Sequence, residues 1–275
     1  MSQVPINPQL LRWARQRAGL TVDDLARKLQ LQPARVGEWE SGAARPSWPQ
    51  AQKLARVLHI PFGYLFLSEP PQTVLHTIAD FRTLPGVQAG RFSPELEDAL
   101  NDALRKRDWL RERRIGEGAS PLPFVGRFTP DAPADQVAAD IRHQLGLPMP
   151  PAAGLKRWEA HLQRLVAHAE EAGIVVLQSG VALGDNRRPL SVEEFRGFTL
   201  VDDYAPVIFI NTRDSIAGRI FTLAHELAHL WSGTSGVSNP IPGEAPEMPV
   251  VERFCNRVAG ELLVPKEAFL PAWRR

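Results

Sequence analysis

Residues 221–231 read Phe-Thr-Leu-Ala-His-Glu-Leu-Ala-His-Leu-Trp, and this run constrains the fold more than any other in the chain. A helix turns about 100° per residue, so His225 and His229 sit about 40° apart on one face. Glu226 lies about 100° round from His225. Ile220, Leu223, Leu227, Leu230 and Trp231 fall on the opposite side, at about 140–240° from His225. The helix must lay that apolar stripe against a core while its two imidazoles converge elsewhere. Two histidines one turn apart can share one tetrahedral zinc, and the adjacent carboxylate can then hold and deprotonate a water. A catalytic site of this kind needs a third protein ligand. The helix expected over residues 250–264 offers Glu252 and Glu261, and the loop before it offers Glu244 and Glu247.

Composition narrows the classes further. The chain has 275 residues, 44% hydrophobic and 23% charged, which excludes a disordered or fibrous protein and favours two domains. One cysteine, Cys255, excludes an intramolecular disulfide and a Cys-rich zinc finger; on the apolar side of its helix it reads as a buried structural thiol. Residues 1–19 contain no apolar signal core, and runs such as 207–210 fall far short of the ~20 residues of a membrane helix. A soluble, cytoplasmic protein without membrane contact is expected. The net charge of +1 excludes a chain that is basic throughout. It hides an asymmetry: residues 1–67 carry 9 Lys and Arg against 4 Asp and Glu, whereas residues 131–275 carry 14 against 18. Only the head is suited to an anionic polymer.

The head reads as short helices over 8–18, 21–29, 33–40 and 47–58, with a closing turn at 61–67. Thr21 is a good N-cap, Pro33 opens the third helix, and glycines end the first and third at Gly19 and Gly42. Two short helices joined by a tight link at 30–31 describe a helix-turn-helix. Leu20-Thr21, Asp24-Leu25-Ala26, Val36, Trp39-Glu40-Ser41-Gly42, Leu54-Ala55 and Tyr64-Leu65-Phe66 resemble the XRE-like repressor domain. That resemblance implies that the second motif helix enters the major groove of duplex DNA with its first residues at the base edges. By position these are Gln32, suited to adenine, and Arg35, suited to guanine.

Beyond the head, amphipathic helices are expected over 94–114, 138–145 and 155–172, and strands over 173–177, 195–201 and 205–211. With the two later helices this is an α+β arrangement with a small sheet. His143, His161 and His168 have no partners at ligand spacing and read as ordinary histidines. The expected organisation is a helix-turn-helix domain over 1–68, a helical linker region over 69–154 packing on the last domain, and the α+β domain over 155–275.

Arg196-Gly197-Phe198, residues 206–211 (Pro-Val-Ile-Phe-Ile-Asn), the 221–229 run and residues 252–265 (Glu-Arg-Phe-Cys-Asn-Arg-Val-Ala-Gly-Glu-Leu-Leu-Val-Pro) together resemble the ImmA/IrrE family of zincin-like metallopeptidases. The Asp80-Phe81-Arg82 neighbourhood is similar to members that also carry an XRE-like domain. The resemblance implies Zn2+ held by His225, His229 and Glu252, with Glu226 as general base. Glu252 and Glu261 lie on opposite flanks of their helix, so at most one can face the histidines. Asn256, one turn below Glu252, is placed to orient its carboxylate. Zincins pair an extended substrate with the strand before the active-site helix, which implies a role for Val207, Ile208, Phe209, Ile210 and Asn211. Family members cleave a repressor, so the implied partners are duplex DNA and a protein substrate, a repressor or antitoxin; a homodimer is compatible with operator-like recognition. The competing reading is a regulator or antitoxin that uses the same fold to sense metal or dock a partner without cleaving.

Overall fold

The computed structural model describes residues 3–71, 79–80, 92–148, 157–238 and 248–273. The chain divides into two compact units, one comprising Met1–Val74 with Phe92–Glu97 and the other Leu75–Arg91 with Asp98–Arg275.

The first unit is helical, with α1 (Pro8–Arg17), α2 (Val22–Leu29), α3 (Pro33–Ser41) and α4 (Trp48–Val57), followed by a 3-10 turn at Phe62–Phe66. Local chemistry sets the boundaries. Thr21 and Asp24 form a reciprocal capping box: the Thr21 hydroxyl accepts from the Asp24 amide at 3.1 Å, and the Asp24 carboxylate accepts from the Thr21 amide at 3.2 Å. Gln30 takes the left-handed conformation (φ 61°), which lets the Leu31 amide donate to the Ala26 carbonyl and turns the chain directly into α3. The core is built from the faces that the helical spacing marks, including Leu25, Ala26, Leu29, Val36, Leu54 and Leu58. Glu40 is the exception, a buried carboxylate at the end of α3. Arg15 of α1 holds it with two bonds, Nε to Oε1 at 2.6 Å and Nη2 to Oε2 at 3.0 Å.

The second unit contains α5 (Pro94–Gly116, counted here from Asp98), α6 (Ala134–Gln144), α7 (Trp158–Glu171), α8 (Ile216–Ser232), α9 (Val250–Leu263) and α10 (Lys266–Trp273). Its sheet comprises β1 (Ala79–Asp80), β2 (Val175–Ser179), β3 (Gly197–Leu200), β4 (Val207–Asn211) and β5 (Gly236–Ser238) in the order β1-β5-β3-β4-β2. β3 runs antiparallel to both β4 and β5, whereas β2 is parallel to β4 and β1 to β5. The unit is α+β, as its alternation of helix and strand implies. α8 lies against β3 and β4 and packs on α6, α7 and α9. Gly233 (φ 68°) closes α8, and its Cα approaches Gly126 so tightly that a Cβ at 233 would meet the Gly126 Cα at 3.0 Å. That approach lets the Gly126 and Phe128 amides donate to the last carbonyls of α8, at Leu230 and Trp231. Arg142 of α6 donates to the Leu262 carbonyl at 2.8 Å and also to that of Glu261, capping α9 in turn. No helix among the described residues is long and apolar enough to cross a membrane.

Three features depart from the sequence reading. β4 is interior, with β3 on one flank and β2 on the other, so Val207, Ile208, Phe209, Ile210 and Asn211 have no open edge for a peptide. All five are buried, and an unbroken apolar run such as Val-Ile-Phe-Ile marks a strand covered on both faces, a central strand rather than a rim. β5 adds a strand beyond the three expected, because three residues carry too little periodicity to declare one. α6 starts four residues earlier than expected, directly after Pro133, where a proline costs no helical hydrogen bond.

Removing the Glu40 side chain leaves the largely buried Arg15 guanidinium without its carboxylate. Glu40→Ala is expected to lower stability by about 3 kcal/mol. Urea melts of the full chain check this, and a loss under about 0.5 kcal/mol would show that water replaces the carboxylate.

Candidate functional site

α8 is buried on every side at its centre. His225, Glu226 and His229 are fully buried, so the polar face of the helix is as enclosed as the apolar one. Charged and polar groups at such depth need partners, and the neighbouring elements supply them. α9 crosses α8 and brings in Glu252, also buried. Its carboxylate faces both imidazoles, with Oε2 3.2 Å from His225 Nε2 and Oε1 3.0 Å from His229 Nε2. The two Nε2 atoms are 3.1 Å apart. Ser238 of β5 reaches the same cluster, its Oγ 3.4 Å from His229 Nε2.

β3 fixes Glu226 from the sheet side. The Thr199 hydroxyl donates to Glu226 Oε2 at 2.7 Å, and Oε1 has no hydrogen-bond partner. Gly197 leaves room for that oxygen: a Cβ there would stand 2.9 Å from Glu226 Oε1, 2.6 Å from Thr222 Cγ2 and 2.9 Å from the Phe209 carbonyl. Glycine is the residue that permits this approach of helix to sheet, whatever its dihedral angles. Arg196 pairs with Asp214 at 2.9 Å, and the Asn211 side chain bridges the Phe195 carbonyl and the Arg213 amide at the turn into α8.

The two carboxylates titrate in opposite directions. Burial pushes Glu226 up to about 7, against the pull of His229 and the Thr199 hydroxyl. Burial also acts upward on Glu252, but hydrogen bonds and charge attraction from His225 and His229 outweigh it and hold the group at about 2. Cys255 is buried and free, and burial with the nearby Glu252 and Glu226 charges keeps its thiol well above the usual range. Its ligand atom, with one from each of His225 and His229, forms a group within 4.8 Å of one another.

The donor set fits a divalent metal. Atoms about 2.0–2.2 Å from a tetrahedral zinc lie roughly 3.3–3.5 Å from each other. His225 Nε2 and His229 Nε2 are 3.1 Å apart and each faces its own oxygen of Glu252, Oε2 at 3.2 Å and Oε1 at 3.0 Å, so each contact lies a few tenths of an ångström inside that range. Two imidazole nitrogens and a carboxylate are also the nitrogen and oxygen donors that zinc takes. The unpartnered Glu226 Oε1 is a buried acceptor of the kind a water at such a centre would satisfy.

The other residues singled out from sequence are dispersed. Glu261 points away, its Oε1 accepting from the Lys266 amide at the start of α10. Glu244 and Glu247 lie outside the described residues, as do Phe81 and Arg82. Asn256, placed by sequence beside Glu252, instead has its Oδ1 3.0 Å from His225 Nδ1. Thr199 and Ser238 were not anticipated. Thr199 has one signal in the sequence, a hydroxyl in an otherwise apolar strand; Ser238 has none, because a three-residue strand carries no periodicity. In the helical unit Gln32 is the exposed N-cap residue of α3. Arg35 lies one turn on, its Nη1 2.6 Å from Glu38 Oε2 and its guanidinium 5.8 Å from the Trp39 ring centroid.

Comparison with known proteins gives two matches. Residues 169–275 match a peptidase family described as the IrrE N-terminal-like domain, and residues 9–61 match a helix-turn-helix domain. No curated protein and no solved structure matches the chain.

A carboxyl held above its unfolded value stabilises the fold most at low pH and loses that contribution as pH rises through its folded value. In metal-free protein, the stability of wild type relative to Glu226→Gln is therefore expected to fall by about 2–3 kcal/mol between pH 5 and pH 8. The low value of Glu252 acts only below about pH 4.5, outside this window. Denaturant melts of both proteins in chelator check it, and a difference that does not vary with pH would mean that Glu226 is solvated.

Proposed function

We propose that this chain, a helix-turn-helix domain joined to an IrrE N-terminal-like peptidase domain, is a zinc-dependent endopeptidase with a DNA-binding head. Its substrate class is a transcriptional repressor or antitoxin, and its setting is stress response or the control of a mobile element. The observation that carries the reading is the convergence of His225, His229 and Glu252 around one point, with the free oxygen of Glu226 beside them. Residues 1–68 serve DNA binding, 69–154 support the last domain, and 155–275 carry the chemistry.

His225 Nε2, His229 Nε2 and Glu252 would hold the zinc. Bound there, the ion supplies Lewis-acid polarisation of the scissile carbonyl and makes water a better nucleophile near neutral pH. Glu226 is the general base: Oε1 takes the proton from the attacking water, and the same carboxyl returns it to the leaving amine. Thr199 keeps Oε2 occupied, so Oε1 is the oxygen that works. Glu252 is favoured over Cys255 as third ligand because its carboxylate already faces both Nε2 atoms.

The complete burial of His225, Glu226 and His229 favours a second reading, a non-cleaving regulator whose zincin-like unit binds metal or a partner. Metal binding is common to both, and hydrolysis separates them. Wild type is expected to bind about one zinc. Glu252→Ala should weaken binding sharply, and Glu261→Ala and Cys255→Ser should leave it nearly unchanged. Glu226→Gln should keep the metal and lose hydrolysis of a repressor or antitoxin substrate. Zinc titration and a cleavage assay check these outcomes. Loss of metal in Cys255→Ser but not Glu252→Ala would reassign the ligand, and hydrolysis at the wild-type rate in Glu226→Gln would remove the base from the mechanism.

The head is expected to bind duplex DNA with steep salt dependence. Gln32 and Arg35 are its base-reading residues, and Arg35 must exchange Glu38 for the DNA. Arg35→Ala should relax sequence preference more than it lowers nonspecific binding. Band-shift titrations over 50–300 mM salt, a range of about 0.8 log units in ionic strength, check this. Absence of binding at the low end, including to the upstream region of its own gene, would favour a protein-docking head.

A further inference from the structure

Asn256 is buried within the site and has a partner at each end of its amide. Its Nδ2 lies 3.3 Å from the thioether sulfur of Met248, and its Oδ1 lies 3.0 Å from His225 Nδ1. A thioether carries no hydrogen and can only accept, so it takes the amide NH2 and leaves the carbonyl oxygen toward the imidazole. A carbonyl oxygen can likewise only accept. The proton of that contact therefore sits on His225 Nδ1. Nε2, on the far side of the ring, is the nitrogen 3.1–3.2 Å from His229 Nε2 and Glu252.

From this chain of fixed donors and acceptors we infer that Asn256 is a positioning residue. It locks His225 in the Nδ1-protonated form and in the ring orientation that turns the Nε2 lone pair into the metal site. The inference rests on the proposed metal site, and it names a second element of α9 that serves it: Glu252 supplies a ligand, and Asn256, one turn later, holds the ligand on α8. A hydrogen bond of this kind typically carries 10–100-fold in metal affinity, through ring orientation and ligand basicity. Met248 belongs to the same device as an acceptor for the amide NH2.

Two measurements on the full chain test it. The first reads the His225 tautomer in wild type by long-range 1H–15N correlation of the histidine side chains, with and without zinc. Protonated Nδ1 is expected in both states, and an unprotonated Nδ1 in either overturns the inference. The second titrates zinc and cobalt(II) into wild type, Asn256→Ala and Asn256→Asp. Asn256→Ala should bind zinc about 10–100-fold more weakly and show an altered cobalt d–d spectrum. Asn256→Asp, which keeps an acceptor oxygen for Nδ1–H, should restore affinity to within a few-fold of wild type. Wild-type affinity and an unchanged cobalt spectrum in Asn256→Ala overturn the role, as does an equal loss in Asn256→Asp. Should Asn256→Ala not fold, the tautomer and the Asp variant still decide. Failure of wild type to bind either metal would sink the proposed function instead, and the tautomer of the metal-free ring would still judge the contact with Asn256.

Discussion

Two imidazoles and two carboxylates lie in the dry interior of one small unit, and the cost of taking them out of water governs the rest of its structure. An ionised carboxylate buried alone loses several kcal/mol of solvation. The fold answers with a different device for each group. Glu252 is placed between two nitrogens and stays ionised. Glu226 accepts from the Thr199 hydroxyl on one oxygen, but burial outweighs such contacts and raises its proton affinity to about 7. This inequality between two glutamates on adjacent helices is what makes one suited to holding a cation and the other to moving a proton.

The secondary structure can be read as support for that inequality. α8 must come close to β3 for Thr199 to reach Glu226, and a side chain at 197 would forbid it. α9 must cross α8 at the level of the histidines for Glu252 to meet both. The crossing is held by the packing of Phe254, Val258 and Leu262, and by Arg142, which fastens the last turn of α9 to α6. At the end of α8, the loop through Gly126 and Phe128 takes up the final carbonyls, and the Trp231 indole donates to Asp140 at 2.8 Å. These contacts lie away from the site, but they fix the end of the helix that carries it.

The helical unit solves a smaller problem with similar means. Its motif depends on two helices meeting across two residues, and the left-handed Gln30 supplies the turn without a glycine. The Arg15–Glu40 pair ties the end of the second motif helix to α1. It gives that helix a fixed seat.

The sequence by itself determined whatever depends on neighbours along the chain. Helical spacing put His225, Glu226 and His229 on one face and Glu252 and Glu261 on opposite flanks; capping residues and glycines marked the helices of the head; alternation of helix and strand gave the α+β class. These follow from 100° per residue and from local hydrogen bonding, which act over a few positions. Tertiary structure alone decided which groups from distant segments meet. It placed β4 inside the sheet and not at its rim, although the continuous apolar run held that information for a reader who weighed it. It turned Asn256 toward His225 and away from Glu252, brought Thr199 and Ser238 to the site from strands with no catalytic signature, and set Cys255 beside the histidines. The reason is that the angle at which α8 crosses α9, and the strand order beside them, come from packing the whole core at once. No single segment carries that information.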